Sequence, residues 1–490
     1  MEPSEPFQKS GSVTMSPRSD VQREAIARLP YRNKMRPSPT TLAEARKDLS
    51  DLVAIPSVSA RGEALESCAQ RIDELLSSAG FKTEQHPGDV GPFVVGETGA
   101  GPFTLVIYNH YDVQPEDPVD LWTAKPFDLV EREGRLYGRG AADDKGEFVS
   151  RLAGWRSFRA NHPEPLPFKI VWIVEGEEEI GSPSLVRFLG KRFPDTTADL
   201  CWWEFGEVDK SGRPIVLIGF KGILAVELHC RTARADLHSS LGAIFDNPLW
   251  RLASAVSSLR DAAGRILIDG FYDDVSPPDA RSSKLAAWPP FALEDLQEET
   301  GGRRLLSGID GSTFYEHLNF EPCLNVNGFY GGYGGEGAKT VLPCAGTAKL
   351  DFRLAPGQEP IKIAELLRLH LDRAGFEDIE LNILDAEVLG VRSDPSHPAV
   401  ELGAKLLEKW FDRPAVIQPS SAASGLAYPF VHKFGATLFG AGLTHHGAML
   451  HSPDENILVE HFENMIGFSA EFFAALCDHA TFLSKGTVNA

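Results

Sequence analysis

Four short stretches of this 490-residue chain carry acidic and histidine side chains that could bind metal ions. The first is YNHYDVQPED, in which His110 and Asp112 flank Tyr111. Because alternate residues of an extended strand point the same way, these two side chains are expected to share one face. A single histidine in such a place is more often an ordinary surface residue, so the pair needs support from elsewhere in the chain.

The second stretch is GRLYGRGAADDKGEF, which contains Asp143 and Asp144. Glycines at positions 138, 140 and 146 allow the backbone to turn sharply, so a loop could present a carboxylate to a cleft. A simple polar turn is the alternative. A phosphate-binding loop fits poorly, because the spacing differs and two aspartates would repel a phosphate.

The third and fourth stretches are EGEEEIGSPS, with Glu178 and Glu179, and GAMLHSPDEN, with His451. Clustered carboxylates repel one another unless cations or protons hold them together. The acidic cluster follows the apolar run IVWIV, and the ends of buried strands are where α/β proteins place ligands. His445 and His446 precede His451 and are further candidates for the same region.

Taken together, carboxylates and imidazoles suit Zn²⁺, with Mn²⁺ or Co²⁺ as alternatives and Mg²⁺ less suitable. Two such ions, about 3.5–4 Å apart, need a bridging carboxylate and can share a water molecule. A further carboxylate that binds no metal must then take the proton of the water and pass it to the leaving amine. The four stretches therefore predict a two-metal hydrolase.

Three of the motifs, HYDVQP, GRGAADDKG and EGEEEIGS, occur in an order that resembles the di-zinc exopeptidase family. This family includes carnosine and cytosolic non-specific dipeptidases, acetylornithine and succinyl-diaminopimelate deacylases, aminoacylase-1 and glutamate carboxypeptidase. The resemblance is closest to the dipeptidase branch and extends over nearly the whole chain after the N-terminal arm.

The resemblance implies a role for each residue of the centre. The implied ligands of the two zinc ions are His110, Asp143, Glu179, Glu204 and His451, with Asp143 bridging both ions. Asp112 would orient and polarise the first site, and Glu178 would be the general base. Glu204 lies in CWWEFGE, and the nearby Asp199 is the competing candidate for its role.

Further motifs resemble parts of the family that contact substrate. DLHSSLGA resembles a lid motif whose histidine, here His238, reaches the active site of a partner subunit and stabilises an oxyanion, which implies a homodimer formed through the lid. Thr340 in GGYGGEGAKTVLP and Arg353 in DFRLAPGQ match substrate-contacting positions. A guanidinium is well shaped to hold a C-terminal carboxylate. Ser424 and Gly425 match a loop near that carboxylate.

This last loop departs from the family pattern. The chain reads SSAASGLAYP, with Ala422 and Ala423 where many relatives carry two glycines. If those positions require positive φ or a close backbone approach, alanine would change the pocket. The departure concerns the substrate rather than the metal chemistry.

The elements that must position these residues follow from hydrophobic periodicity. Before position 219, buried strands such as TLVIYNHYDV alternate with helices such as GEFVSRLAGWRSFRA, which predicts an α/β layer with a mainly parallel sheet and flanking helices. Alternating strands and two amphipathic helices then predict an inserted α+β, ferredoxin-like lid. The predicted arrangement is a flexible arm over 1–38, a phosphorylase/hydrolase-like catalytic domain over 39–218 and 391–490, and a lid and dimerisation domain over 219–390.

Composition excludes several functional classes. Hydrophobic residues make up 42% and charged residues 24%, which is ordinary for a globular protein. The formal net charge of −21 disfavours nucleic acid and anionic membrane as partners. Neither a signal peptide nor an apolar run of about 18 residues is found. The six cysteines are scattered without a C-x-x-C pair, which favours a reducing cytoplasm over a zinc finger or a disulfide framework.

The leading hypothesis is metal-dependent hydrolysis of the peptide bond in dipeptides or small peptides with a free C-terminal carboxylate. An N-acyl amino acid deacylase, or another small-amide hydrolase, is the alternative that shared motifs do not separate from it. A non-catalytic binding member of the fold would be expected to lack a ligand or Glu178, and every position is filled. A binuclear phosphoesterase is disfavoured, because no basic cluster accompanies these motifs.

Overall fold

The computed structural model describes residues 34 and 36–483. The predicted arm, residues 1–38, therefore lies outside the described residues apart from positions 34 and 36–38. Among the described residues, no helix has both the length and the apolar character needed to cross a bilayer.

The described helices alternate with strands through most of the chain. The α-helices are α1 (Pro39–Val53), α2 (Leu65–Ser78), α3 (Lys145–Asn161), α4 (Leu185–Arg192), α5 (Pro248–Ser258), α6 (Ala280–Ala286), α7 (Leu293–Thr300), α8 (Phe314–Phe320), α9 (Pro360–Arg373), α10 (Pro398–Phe411), α11 (Tyr428–His432) and α12 (Val459–Leu483). Short 3₁₀ helices cover Ser59–Arg61, Val119–Leu121, Glu178–Ile180 and Ser239–Ala243.

The strands form one large sheet, one four-stranded sheet and several small ribbons. They are β1 (Lys82–His86), β2 (Phe93–Gly99), β3 (Phe103–His110), β4 (Val130–Arg132), β5 (Arg135–Tyr137), β6 (Phe168–Glu175), β7 (Leu200–Trp203), β8 (Glu207–Val208), β9 (Ile215–Leu217), β10 (Gly219–Phe220), β11 (Gly222–Arg231), β12 (Leu237–His238), β13 (Cys323–Gly331), β14 (Val341–Leu342), β15 (Ala345–Leu354), β16 (Glu380–Asp385), β17 (Val391–Arg392), β18 (Val416–Gln418), β19 (Thr437–Gly440), β20 (Thr444–His445) and β21 (Asn456–Leu458).

The large sheet has eight strands in the order β1-β2-β6-β3-β7-β19-β9-β18. Its centre is parallel, through the pairs β6-β3, β3-β7 and β7-β19, whereas β1 and β2 add an antiparallel edge. One face packs against α1, α2, α3, α10 and α12, and the other against α4 and α11. Because both faces are covered, the central strands β3 and β6 are almost entirely buried. The predicted α/β layer with a mainly parallel sheet is confirmed.

A four-stranded antiparallel sheet, in the order β13-β15-β11-β16, is built entirely from residues of the predicted lid segment. Helices α5 and α9 cover one of its faces and share a separate hydrophobic core with it. Alternate residues of β11 are buried and partly exposed, as the sequence pattern predicts for a sheet with one solvated face. The chain crosses between the two sheets through β10 and β17, which pair with each other.

Three short helices, α6, α7 and α8, were not predicted from the sequence. They form a small hydrophobic cluster of their own, which includes Phe314, Tyr315 and Phe320. Their apolar residues are too few and too interrupted by polar residues for hydrophobic periodicity to identify them.

The parallel strands determine where the site lies. Strand β3 ends at His110, and β6 ends shortly before Glu178. Strand β7 ends immediately before Glu204. Because neighbouring parallel strands end at the same edge of a sheet, these three side chains are brought together although about 90 residues of sequence separate the first from the last.

Burial of His397 makes a pH-dependent contribution to stability. His397 caps α10, its ring nitrogen accepts a hydrogen bond from the Ala399 N–H, and burial lowers its pKa to about 4. The unfolded chain binds a proton near pH 6.5, so this contribution is complete above pH 6.5 and is lost as the pH falls through 4. The variant His397→Asn retains a capping group but cannot titrate. We expect it to reduce the pH-dependent change in the free energy of unfolding by at most about 3 kcal/mol.

Urea denaturation at pH 7 and pH 4.5 measures this change. The exposed His432 provides the matched control, because His432→Asn should leave the pH dependence as it is in the unaltered protein. Equal pH dependence in the two variants would contradict the assignment to His397.

Candidate active site

The described residues contain two groups of three side chains whose ligand atoms lie within 4.8 Å of one another. The buried group consists of His110, Asp144 and Glu204. The outer group consists of Asp143, Glu179 and His451. The five residues predicted as metal ligands are all present in these groups, and the structure adds Asp144.

The Asp143 carboxylate lies between the two groups. Its Oδ1 is 2.9 Å from Nε2 of His110, and its Oδ2 is 3.0 Å from Nε2 of His451. One carboxylate therefore contacts a histidine of each group, which is the arrangement that a bridging ligand of two metal ions requires. His451 has a φ of 56°, an uncommon left-handed conformation for a residue other than glycine.

Negative charge is concentrated at this site. Burial, reinforced by neighbouring carboxylates, raises the pKa of Glu178 to about 7 and that of Glu179 to about 8. Burial also raises the pKa of Glu204, and its Oε2 has no hydrogen-bond partner among the described residues. Burial acts on Asp143 in the same direction, but hydrogen bonds with His110 and His451 outweigh it and hold the pKa of Asp143 below its usual range.

These observations test whether divalent cations fit the site. Each group offers carboxylate oxygen and imidazole nitrogen, which suit zinc and related transition metals. The carboxylates outnumber the histidines, so cations would relieve the repulsion that burial intensifies. The residues present therefore fit a centre of two metal ions.

Asp112 connects the first histidine to the acidic turn after β6. Its carboxylate accepts hydrogen bonds from the backbone N–H of Glu178, at 3.2 Å, and of Glu179, at 3.0 Å. Its carbonyl oxygen is 3.0 Å from Nδ1 of His110. Asp112 thus holds the ring of His110 and the start of the turn in one arrangement.

Glu455 was not singled out by the sequence, although it belongs to the same motif as His451. It is fully buried, and its carboxylate accepts hydrogen bonds from the N–H groups of Gly140, Ala142 and Asp143 and from the Arg139 guanidinium. Gly140 has a φ of 83°, which explains why glycine occurs in this turn. Glu455 therefore fixes the loop that presents Asp143.

Asn109 and Arg151 were also missed, and they support the buried group. The Asn109 amide donates a 2.7 Å hydrogen bond to Oδ2 of Asp144. The Arg151 guanidinium donates to the carbonyl oxygen of Glu204, at 2.6 Å, and to that of Tyr108, at 3.2 Å. Arg151 lies on α3, which is buried along most of its length, so hydrophobic periodicity does not distinguish its supporting role.

The competing candidates lie elsewhere. Asp199 precedes β7 and accepts a hydrogen bond from the Thr104 N–H, so it lies at the opposite end of that strand from Glu204. His445 is buried and contacts the Asn456 amide oxygen, whereas His446 is close to an acidic side chain of α7. None of these residues belongs to either metal-ligand group.

Two of the residues predicted to contact substrate meet between the sheets. Nη1 of Arg353, on β15, donates a 3.0 Å hydrogen bond to Oγ of Ser424, which follows β18. The adjacent Gly425 packs closely on the Phe220 ring, where an added Cβ would lie 3.1 Å from ring carbons. Ser424 in turn donates to the carbonyl oxygen of Gly222. The lid sheet and the large domain thus both contribute to this contact.

The alanines before Ser424 do not require the backbone freedom of glycine. Among the described residues, the non-glycine positions with positive φ do not include Ala422 or Ala423. The carbonyl oxygen of Ala423 accepts a hydrogen bond from the Lys221 N–H. The loop therefore accommodates alanine without strain of this kind.

His238 and Thr340 lie together on the lid, because His238 ends β12 and Thr340 directly precedes β14, with which β12 pairs. The Ser239 N–H donates to the carbonyl oxygen of Thr340, and the exposed His238 ring contacts Oγ of Ser240. Within the described residues, no hydrogen bond or ion pair joins His238 to either metal-ligand group.

The chain is similar in sequence to known metal-dependent peptidases. The model of peptidase family M20/M25/M40 matches residues 106–475. The Cys-Gly metallodipeptidase DUG1 of Candida albicans is 31% identical over 66% of this chain and 71% of its own length. The Beta-Ala-His dipeptidase of Rattus norvegicus is 30% identical over 67% of this chain and 66% of its own length.

The fold is matched by solved structures as well. An M20 family metallo-carboxypeptidase, Sso-CP2 from Sulfolobus solfataricus, superposes with a TM-score of 0.80 at 34% identity. The match covers 88% of this chain and 98% of that one. Both the large sheet and the lid are therefore included in the likeness.

The contact between Asn109 and Asp144 can be tested by metal analysis. We expect Asn109→Ala to weaken metal binding at the buried group by about 10–100-fold, because the Asp144 carboxylate of that group loses an orienting hydrogen bond. Titration with metal should then show one tight and one weak site per chain. Asn161→Ala, at an exposed position at the end of α3, is the control and should bind metal as the unaltered chain does. Unchanged affinity at both sites would contradict the supporting role.

Proposed function

The chain belongs to peptidase family M20/M25/M40 and is a metal-dependent peptidase, and we propose that it hydrolyses dipeptides or short peptides with a free C-terminal carboxylate. The observation that carries the proposal is the Asp143 carboxylate placed between His110 and His451, with Glu178 beside it. The relatives named Cys-Gly metallodipeptidase and Beta-Ala-His dipeptidase support the dipeptide substrate class.

We assign the ligands of two zinc ions to the two groups, with Mn²⁺ and Co²⁺ as alternative metals. His110 and Glu204 would hold one ion, Glu179 and His451 the other, and Asp143 both. When bound, such ions polarise a substrate carbonyl and lower the pKa of a water molecule. Asp112 keeps the ring of His110 and the turn bearing Glu179 in position, as its hydrogen bonds indicate.

Glu178 is the proposed general base. It belongs to neither ligand group, yet it lies close enough to His110, Asp143 and His451 for their charges to influence its pKa. A carboxylate in this place can accept a proton from water and then deliver it to the departing nitrogen.

The Arg353 and Ser424 pair is proposed to bind the substrate carboxylate. The guanidinium can hold a carboxylate through two hydrogen bonds, and the Ser424 hydroxyl and the adjacent Gly425 N–H are further donors on the same loop. An N-acyl amino acid also has a free carboxylate, so a deacylase activity would use the same contacts. Parallel assay of dipeptides and N-acyl amino acids distinguishes the two activities.

We further propose a cytoplasmic homodimer, formed through the lid. The exposed apolar side chains of Ile244, Phe245 and Trp250 on the lid support an interface there. His238, which is exposed, would contact the substrate in the partner subunit, where an imidazole can stabilise an oxyanion. All six cysteines are free thiols, which is compatible with a reducing compartment.

Two neighbouring glutamates should respond differently to the same substitution. We expect Glu178→Gln to lower kcat on a dipeptide by about 10²–10⁴-fold while two metal ions remain bound, because only the proton acceptor is lost. Glu179→Gln should lose metal as well as activity. Metal content and steady-state kinetics measured on the same samples provide the comparison. Full activity of Glu178→Gln, or of a metal-free preparation, would refute the proposed function.

Mixing two inactive variants tests the role of His238. A dimer of one His238→Ala chain and one Glu178→Gln chain has a single complete site if His238 acts across subunits. Random 1:1 mixing should then recover about one quarter of the original activity. A mixture of Glu178→Gln with Glu179→Gln is the control and should recover none, because both defects lie in the same site. No recovery in verified mixed dimers would contradict a role across subunits.

A further inference from the structure

A cavity of about 630 Å³ lies between the large domain and helices α7 and α8. Its lining includes Glu207 and His446 from the large domain, Ala422 from the loop after β18, and Glu299 and Tyr315 from the two helices. None of the six metal-ligand residues lines it, so the cavity is separate from the metal centre.

Several polar groups of this cavity have no partner. The half-buried carboxylate of Glu207 forms no hydrogen bond or ion pair with any residue that the structure describes, and Asp209 and Glu299 near it carry the same charge. Oη of Tyr315 and Oδ1 of Asn319 are buried, and they too lack a hydrogen-bond partner within the described part of the chain. Unpartnered polar groups in a folded protein are costly, so a ligand that neutralised the Glu207 carboxylate would be favoured.

The basic side chains of the cavity already have partners. Nζ of Lys210 is 3.0 Å from the Glu299 carboxylate, and Nε of Arg213 is 2.6 Å from that of Asp209. No lysine or arginine of the lining remains to neutralise Glu207. The unmatched charge therefore favours a ligand with a positively charged group.

The remaining wall is apolar and connects the cavity with the substrate contacts. Pro290, Phe291 and Leu318 line it together with Ala422, so a ligand with an aliphatic body would also bury apolar surface. Ala422 precedes Ser424 by two residues, which limits the distance between their backbones to about 7 Å. A long side chain that starts beside Ser424 can span such a distance.

We propose that this cavity receives the side chain of a lysine or arginine at the C-terminal position of the substrate, with its cationic end at Glu207. This inference rests on the proposed function, in which Arg353 and Ser424 hold the carboxylate of the same residue. The enzyme would then be selective for dipeptides that end in a basic residue.

Two dipeptides that differ by one group test the proposal. Ala-norleucine has the aliphatic chain of Ala-Lys but lacks its terminal ammonium. We expect kcat/KM to be roughly tenfold or more higher for Ala-Lys, as a hydrogen bond to a charged group in a buried site would produce. Glu207→Gln should lower this ratio. Glu298→Gln removes the same charge from a position on α7 that does not line the cavity, and it should leave the ratio unchanged.

Different experimental outcomes would overturn the selectivity for basic residues and the proposed peptidase function on which it rests. Hydrolysis of both dipeptides at equal kcat/KM would overturn the inference and leave the dipeptidase proposal in place. An unchanged ratio in Glu207→Gln would also overturn it, since the charge that selects the cation would then lie elsewhere. Absence of hydrolysis of any dipeptide by the metal-loaded protein would overturn the proposed function and, with it, the inference.

Discussion

The structure depends above all on the confinement of several carboxylates in a space with few protein cations. Asp143, Glu179 and Glu204 lie around two histidines, and burial makes their mutual repulsion stronger than it would be in water. Such a cluster is compatible with a stable fold when cations neutralise it. The requirement for metal is thus a consequence of the charge balance, and it explains why so much of the surrounding structure serves to hold individual carboxylates.

That support comes from backbone N–H groups and from buried side chains rather than from solvent-exposed ion pairs. Asp112 fixes the turn that bears Glu178 and Glu179, and Glu455 fixes the loop that bears Asp143. Hydrogen bonds of this kind hold in place the segments that bear the predicted ligands. The arrangement leaves Glu178 outside the ligand groups, as its proposed role of general base requires.

The two sheets contribute different residues to the site. The large parallel sheet brings several of the predicted metal ligands to one edge, and the lid contributes Arg353, which meets Ser424 across the boundary between the two. Under the proposed function, substrate selection depends on the relative placement of two separately packed cores, whereas metal binding depends mainly on one. Variation in the lid, including helices α6 to α8, would then change substrate preference without disturbing the metal-ligand groups.

Sequence alone determined the types of ligand, their order along the chain and the alternation of strands and helices, because each of these is a local property. It identified Asp112, Glu178 and all five predicted ligands as candidates, since their motifs are short and contiguous. Only the tertiary structure decided that Asp143 contacts both His110 and His451, the latter 308 residues away in sequence. It also decided that Asp144 joins the buried group, that Glu455 and Arg151 support the centre, and that Ala422 borders a cavity. The physical reason is that such contacts depend on strand register and on the packing of helices against the sheet, and local spacing does not specify either.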